Sequence, residues 1–359
     1  MADYIEIPQA NLRNIPIFSD EPNEDLLQEI KQHVRETREP HSWRGHSHTK
    51  PEQGALVVYC DEFDVPAPDT VPRVAPCPCC NPHYPQYKNK GKIAWFPDES
   101  VIRLIGPQCF KAINEGAHQA ALVELRRKQK VRSELATIRR HGPSIDALLK
   151  MVDEVSPIAA ALDVFLQDLN RALDNELALP LWRVARGGIL SVSEERNVPY
   201  RKPDGVIEVR REVVPVHFAS IAGYGMFDRS GPIAAQKKLG PLRSGLADIS
   251  RRLIEVGVPE RLTDAERTDF AEKLPRARVL LAEALSNARE KQEFLTSDAI
   301  ETLGRWGRHP TAPYRFSMER KRGAVVLSSA SQRSSSPVTV AIGSDAAKAL
   351  PELPPINEE

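Results

Sequence analysis

The sequence predicts an α+β protein that is mainly α. A small cysteine-bearing module should lead into an elongated helical bundle or coiled-coil hairpin carrying a small antiparallel β insertion. Three observations predict this. Cys77, Cys79 and Cys80 crowd into four positions, and Cys109 follows after two short β-like runs. From Gln108 to Leu177 apolar residues recur every three or four positions. Residues 182–226 then switch to runs rich in valine and isoleucine.

The chain of 359 residues is long enough for two or three domains. The formal net charge is zero, so a surface given over wholly to nucleic acid is excluded and any such role must be local. Charge is unevenly placed all the same. Residues 1–76 hold 7 Lys and Arg against 14 Asp and Glu, and residues 77–150 hold 13 against 6. Docking of the acidic leader onto the basic module and two separate binding surfaces are the readings this invites beyond simple solvation. The start, Met1-Ala-Asp-Tyr-Ile-Glu, lacks a basic and apolar leader pattern, and no apolar run reaches the length of a membrane span. Five cysteines in this pattern do not form a secreted disulfide framework, which places the chain in the cytoplasm with no membrane association.

The segments divide as follows. Residues 1–55 form a loose acidic leader with one helix, Asn23 to Arg38, capped by Asn23 with Leu26, Leu27, Ile30 and Val34 on one stripe. Residues 56–118 form the cysteine module. Gly54–Cys60 reads as a β-like run, and Lys92–Phe96 and Ser100–Ile105 read as strands turning at Pro97-Asp98-Glu99. Residues 108–181 are long helices. The first runs to Arg140 with Ile113, Ala117, Ala120, Val131, Leu135 and Ile138 inward. A second is capped by Ser144, and a third restarts at Pro157 with Ile158, Leu162, Phe165, Leu169, Leu173 and Leu177 at near-heptad spacing. Residues 182–228 are the β insertion and 229–310 a helical region, with a capping box at Thr263–Glu266. Residues 311–328 form a hairpin with a basic tip, and 329–359 a disordered Ser/Pro-rich tail.

Cys77 and Cys80 form a C-x-x-C pair, a spacing that aims two thiolates at one point about 2.3 Å away, as a tetrahedral zinc ion requires. A redox C-x-x-C opens a helix, whereas Asn81-Pro82 follows here. Knuckle, hairpin and then Cys109 on a first helical turn resemble the treble-clef class of zinc fingers over about residues 74–118. The resemblance implies a fold held by a structural zinc ion, not an activity. The helical half often supplies two ligands, and Cys109 has no Cys or His three or four residues on. His118 lies about 13 Å further along a helix, too far to share an ion whose ligands stand about 4 Å apart. The metal set is therefore Cys77, Cys80 and Cys109 with His83 as the preferred fourth ligand, and Cys79 and Cys60 remain alternatives. Catalytic zinc would need a base, for which Asp98 and Glu99 are the nearby acids.

His41, His46 and His48 read as solvated loop residues. Two basic stretches are candidates for DNA: Arg126, Arg127, Lys128, Lys130 and Arg132 on the long helix, and Arg320, Lys321 and Arg322 at the late hairpin tip, which with the helix carrying Arg305 and Arg308 resembles a winged-helix arrangement. The functional expectation is a non-enzymatic zinc-binding protein, its helices serving as a scaffold for a protein partner or DNA and pairing as a homodimer. The alternative is a metal-dependent hydrolase or nuclease in the zinc module or the β insertion, where Glu212 and His217 are the clustered polar residues.

Overall fold

The computed structural model describes residues 5–66, 77–80, 90–173, 181, 183, 187–203, 205–227, 235–329 and 336–354. They form mixed helix and small antiparallel sheets in two compact units, residues 1–134 and 135–359.

In the first unit, α1 (Gln9–Arg13) is a single turn and α2 (Glu24–Thr37) is the predicted capped helix. The Asn23 side chain accepts from the Leu26 N–H, and Arg38 closes the helix in the left-handed region. Strands β1 (Val58–Asp64), β2 (Lys90–Phe96) and β3 (Val101–Ile105) form one antiparallel sheet in sequence order. The expected hairpin is thus joined by a third strand, which starts later than the β-like run at Gly54. Successive residues face opposite sides. Ile93, Ile102 and Leu104 meet Leu27, Ile30 and Val34 of α2, whereas Ala94, Phe96, Val101 and Ile105 meet Cys77, Cys79 and Phe110. The leader is therefore not loose. Its helix needs an apolar surface for its stripe, and one sheet face supplies it.

The helix expected from Gln108 is broken. A 3-10 turn, Cys109–Ala112, precedes α3 (Glu115–His141), because the Asn114 side chain accepts from the Ala117 N–H and caps a new start. The inward face of α3 also differs from the expected one: His118, Ala121, Leu125, Glu134 and Ile138 are buried, and Ala120 is exposed.

In the second unit, α4 (Ile145–Ala172) is one helix with Pro157 inside it, not two. Ser156 donates to the Val152 carbonyl. Val152, Val155, Ile158, Ala159 and Leu162 keep one buried face continuous across the proline, and that burial outweighs the lost backbone bond. Ser144 makes no cap bond but donates to His141 instead. Helices α5 (Ala235–Val256) and α6 (Asp264–Thr296) pack against α4 through Leu242, Leu246, Leu274 and Leu281. The Thr263–Glu266 capping box is present as predicted. Leu177 lies outside the described residues.

The β insertion is one long hairpin, β4 (Ile189–Arg201) with β5 (Ile207–Ser220). Helix α7 (Ala299–Arg308) lies on a sheet of β6 (Phe316–Lys321), β7 (Ala324–Ser329) and β8 (Val338–Ala341). The close approach depends on glycine, since a Cβ on Gly304 would stand 2.0 Å from the Met318 carbonyl oxygen. The tail expected to be disordered instead contributes β8, with Val340 and Ala346 buried in the core. An apolar partner strand, which composition does not reveal, offsets its ordering entropy.

Candidate metal centre

Two tight turns build the site. The Cys80 N–H bonds to the Cys77 carbonyl at 3.0 Å, and the Cys109 N–H bonds to the Gly106 carbonyl at 3.2 Å. Each turn presents sulfur to the same point. The sulfurs of Cys77, Cys80 and Cys109 all lie within 4.8 Å of one another, an arrangement that can hold a metal ion. Around a tetrahedral ion with 2.3 Å bonds, paired sulfurs stand about 3.8 Å apart, a separation compatible with that spacing.

The electrostatics fit a thiolate cluster. Cys109, Cys79 and Cys80 thiols all hydrogen-bond to Cys77, holding it far below the ordinary thiol range. Hydrogen bonding to Cys77 and then burial push Cys79, Cys80 and Cys109 well above that range. A cation would let the others ionise as well.

The remaining predicted positions divide clearly. His83 lies outside the described residues. Cys79 is buried beside Cys77 but outside the mutual 4.8 Å group. Cys60 packs on the opposite sheet face with Leu27 and Ile30, and burial raises its pKa to about 12. Its position on the far side of the sheet removes it from the ligand candidates. His118 is also outside the group, its Nδ1 hydrogen-bonded to the Tyr59 hydroxyl at 2.6 Å. Glu99 is engaged by Arg103 at 3.0 and 2.5 Å.

The histidines are not solvated loop residues. His46 is 3% exposed and runs beside β3, where its Nδ1 accepts the Leu104 N–H at 3.0 Å. Burial and the neighbouring His48 ring, 4.4 Å away, hold its pKa well below the ordinary value. A neutral imidazole accepting at Nδ1 carries its proton on Nε2, so that nitrogen is not a ready metal donor.

Sequence reasoning missed Lys92 as part of this site. Its buried ammonium donates to the Pro107 carbonyl at 2.6 Å and so braces the loop that carries Cys109. Its strand parity with Ala94 and Phe96, the face over the cysteines, was the available signal.

The basic helix stretch is engaged by acids. Arg127 pairs with Glu124, Lys128 with Glu21, Lys130 with Glu134, and Arg132 with Asp61 and Glu24. Glu21 and Glu24 belong to the leader, so the uneven charge corresponds to internal docking. Arg320, Lys321 and Arg322 are exposed at the β6–β7 tip, but α7 turns Ile300, Leu303 and Trp306 into the core and carries Arg305 and Arg308 outward. Glu212 and His217 are five residues apart on β5, on opposite faces of the hairpin, and do not form a site. Among the described residues, no helix is long and apolar enough to cross a membrane. No protein-family model, no curated protein and no solved structure matches the chain.

Proposed function

We propose that the chain is a non-enzymatic zinc-binding protein whose treble-clef-like head is stabilised by a structural zinc ion and whose helical unit serves as a scaffold for a protein partner. The observation that carries the reading is the convergence of three sulfurs from two turns within 4.8 Å on a buried sheet face. An all-sulfur set selects soft or borderline ions, and tetrahedral sulfur is characteristic of zinc or iron. The nearby acid Glu99 is bound to Arg103, so it does not serve as a free base. A groove of about 420 Å³ between α5 and α6 is lined by Leu242, Leu246, Ile249, Ala277 and Leu280 with Lys238, Lys273 and Arg276, and its two lysines are paired with Glu283 and Asp269.

Metal analysis of the purified full chain tests the reading. One zinc per chain, lost in Cys77→Ser and Cys109→Ser, supports it. Comparing His83→Ala with Cys79→Ser identifies the fourth ligand. A metal-free chain with a fully protected first unit would refute it, and a coloured iron centre would replace zinc by iron.

A further inference from the structure

The β4–β5 hairpin has two different halves. At its base Leu190, Val192 and Ile221 are buried, the Trp306 indole donates to the Ser191 carbonyl at 2.8 Å, and the Ser193 N–H donates to the Thr311 carbonyl at 3.3 Å. Beyond Ser193 and Pro215 the ribbon continues through eight more cross-strand pairs, and two-stranded ribbons alone are marginally stable in water.

Its two faces are also unlike. On one, Arg196 pairs with Glu194 at 3.2 Å, Lys202 pairs with Glu208, and Arg210 lies 4.0 Å from the Tyr200 ring centroid. Most charges of that face are thus engaged within the hairpin, where Glu212 lies opposite Arg196. The other face sets Glu195, Asn197, Pro199 and Arg201 opposite Val213, Arg211, Val209 and Ile207. There Ile207 and Val213 are 67% exposed and Val209 66%, and among the described residues Glu195 and Arg201 have no ion pair. The strand edges are less suited to growth, because each carries a proline, Pro199 or Pro215, which lacks the N–H a further strand would use.

We infer that this face is the contact surface for a second copy of the chain, two hairpins packing face to face about a two-fold axis. Charge order carries the choice of occupant. The acid Glu195 and Val213 lie toward the base and the base Arg201 and Ile207 toward the tip, with Asn197, Pro199, Val209 and Arg211 between. An antiparallel two-fold pairing sets each Glu195 against the other copy's Arg201 and each Val213 over the other copy's Ile207, using one patch twice. The patch spans about seven residues at about 3.4 Å each and is about 10 Å wide, roughly 240 Å² of footprint. That is below the ~800 Å² per partner of a standard interface, so the dimer should be weak, in the micromolar range.

Sedimentation velocity of the full chain from about 1 to about 200 µM tests this. The expected result is a mass rising toward two protomers with concentration. Val209→Glu should stay monomeric throughout, and Glu195→Arg and Arg201→Glu should each weaken association about tenfold or more. The double variant E195R/R201E, which restores both ion pairs across the two-fold, should recover it. These side chains are exposed, so thermal unfolding of the second unit should be unchanged in every variant. A wild-type chain that stays monomeric over the whole range overturns the inference. So does a dimer indifferent to Val209→Glu, or one that the charge-restoring double variant fails to rescue.

Discussion

The two units solve the problem of burial differently. The first inserts polar groups into a small sheet core: Arg103 and His118 are fully buried, and Asp61, Lys92 and His46 nearly so, around three clustered sulfurs. The second buries long apolar stripes of α4, α5, α6 and α7, with Asp163 and Lys291 as a buried ion pair at 2.6 Å. A small sheet has too little apolar area to offset the entropy of its loops, so bonds between specific atoms must make up the difference. Helices with wide stripes have no such need. The first unit should therefore fail abruptly when one atom is removed, and the second should lose stability in increments.

The sharpest break between them comes from metal removal. Structural zinc sites contribute about 10–16 kcal/mol of apparent binding energy at neutral pH, enough to decide whether a small module folds at all. A strong chelator should abolish hydrogen-exchange protection of β1, β2 and β3 while α4 and α6 stay protected. Equal loss in both units, or none in either, would remove the distinction. Next in size is the one place where the second unit resembles the first. Lys291→Met leaves the Asp163 carboxylate buried without its cation and should cost about 3–5 kcal/mol by denaturant unfolding. Adding Asp163→Leu should recover part of that loss, because it removes the uncompensated buried carboxylate.

The same contrast governs what could be read from the sequence. Asn23 as a cap, the Leu27–Ile30–Val34 stripe, the Thr263–Glu266 box and the hairpin turning at Gly323 are local patterns, and each is realised in place. The C-x-x-C spacing is local too, and the convergence of Cys109 on it follows from the two strands between. What could not be read depends on distant partners. β8 orders a Ser/Pro-rich tail only because β7 offers it an edge. Pro157 stays within a helix because core residues flank it on both sides. His46 is buried only because the 43–49 loop lies along β3. A fourth ligand for the proposed metal site is likewise not decided by sequence, since Cys79 and His83 both lie within six residues of Cys77.

Smaller effects test whether the second unit truly degrades by increments. Gly304→Ala forces a methyl against the Met318 carbonyl and should cost about 1–3 kcal/mol, whereas Gly245→Ala, with nothing within 4 Å, should gain about 0.5–1 kcal/mol. If both changes lower stability alike, the tight α7–β6 approach is not what Gly304 is for. Thr263→Ala removes the α6 cap and should cost about 1 kcal/mol, with Thr263→Ser nearly neutral.

The smallest effect is a pH dependence in that same cap. The Arg252 guanidinium, bonded to Glu266 at 2.7 Å, together with the Thr263 N–H and hydroxyl, lowers the Glu266 carboxyl to about 2 from an ordinary 4.5. A depressed carboxyl stabilises the folded state fully above its unfolded pKa, and that contribution disappears as pH falls through the folded value. The difference in melting temperature between wild type and Glu266→Gln should therefore be constant above about pH 5 and narrow between about pH 4.5 and 2. Because the carboxylate is only half-buried, solvent screens it and the change should be slight. A difference that holds steady down to pH 2 would assign the effect of Gln to lost cap geometry instead of lost charge.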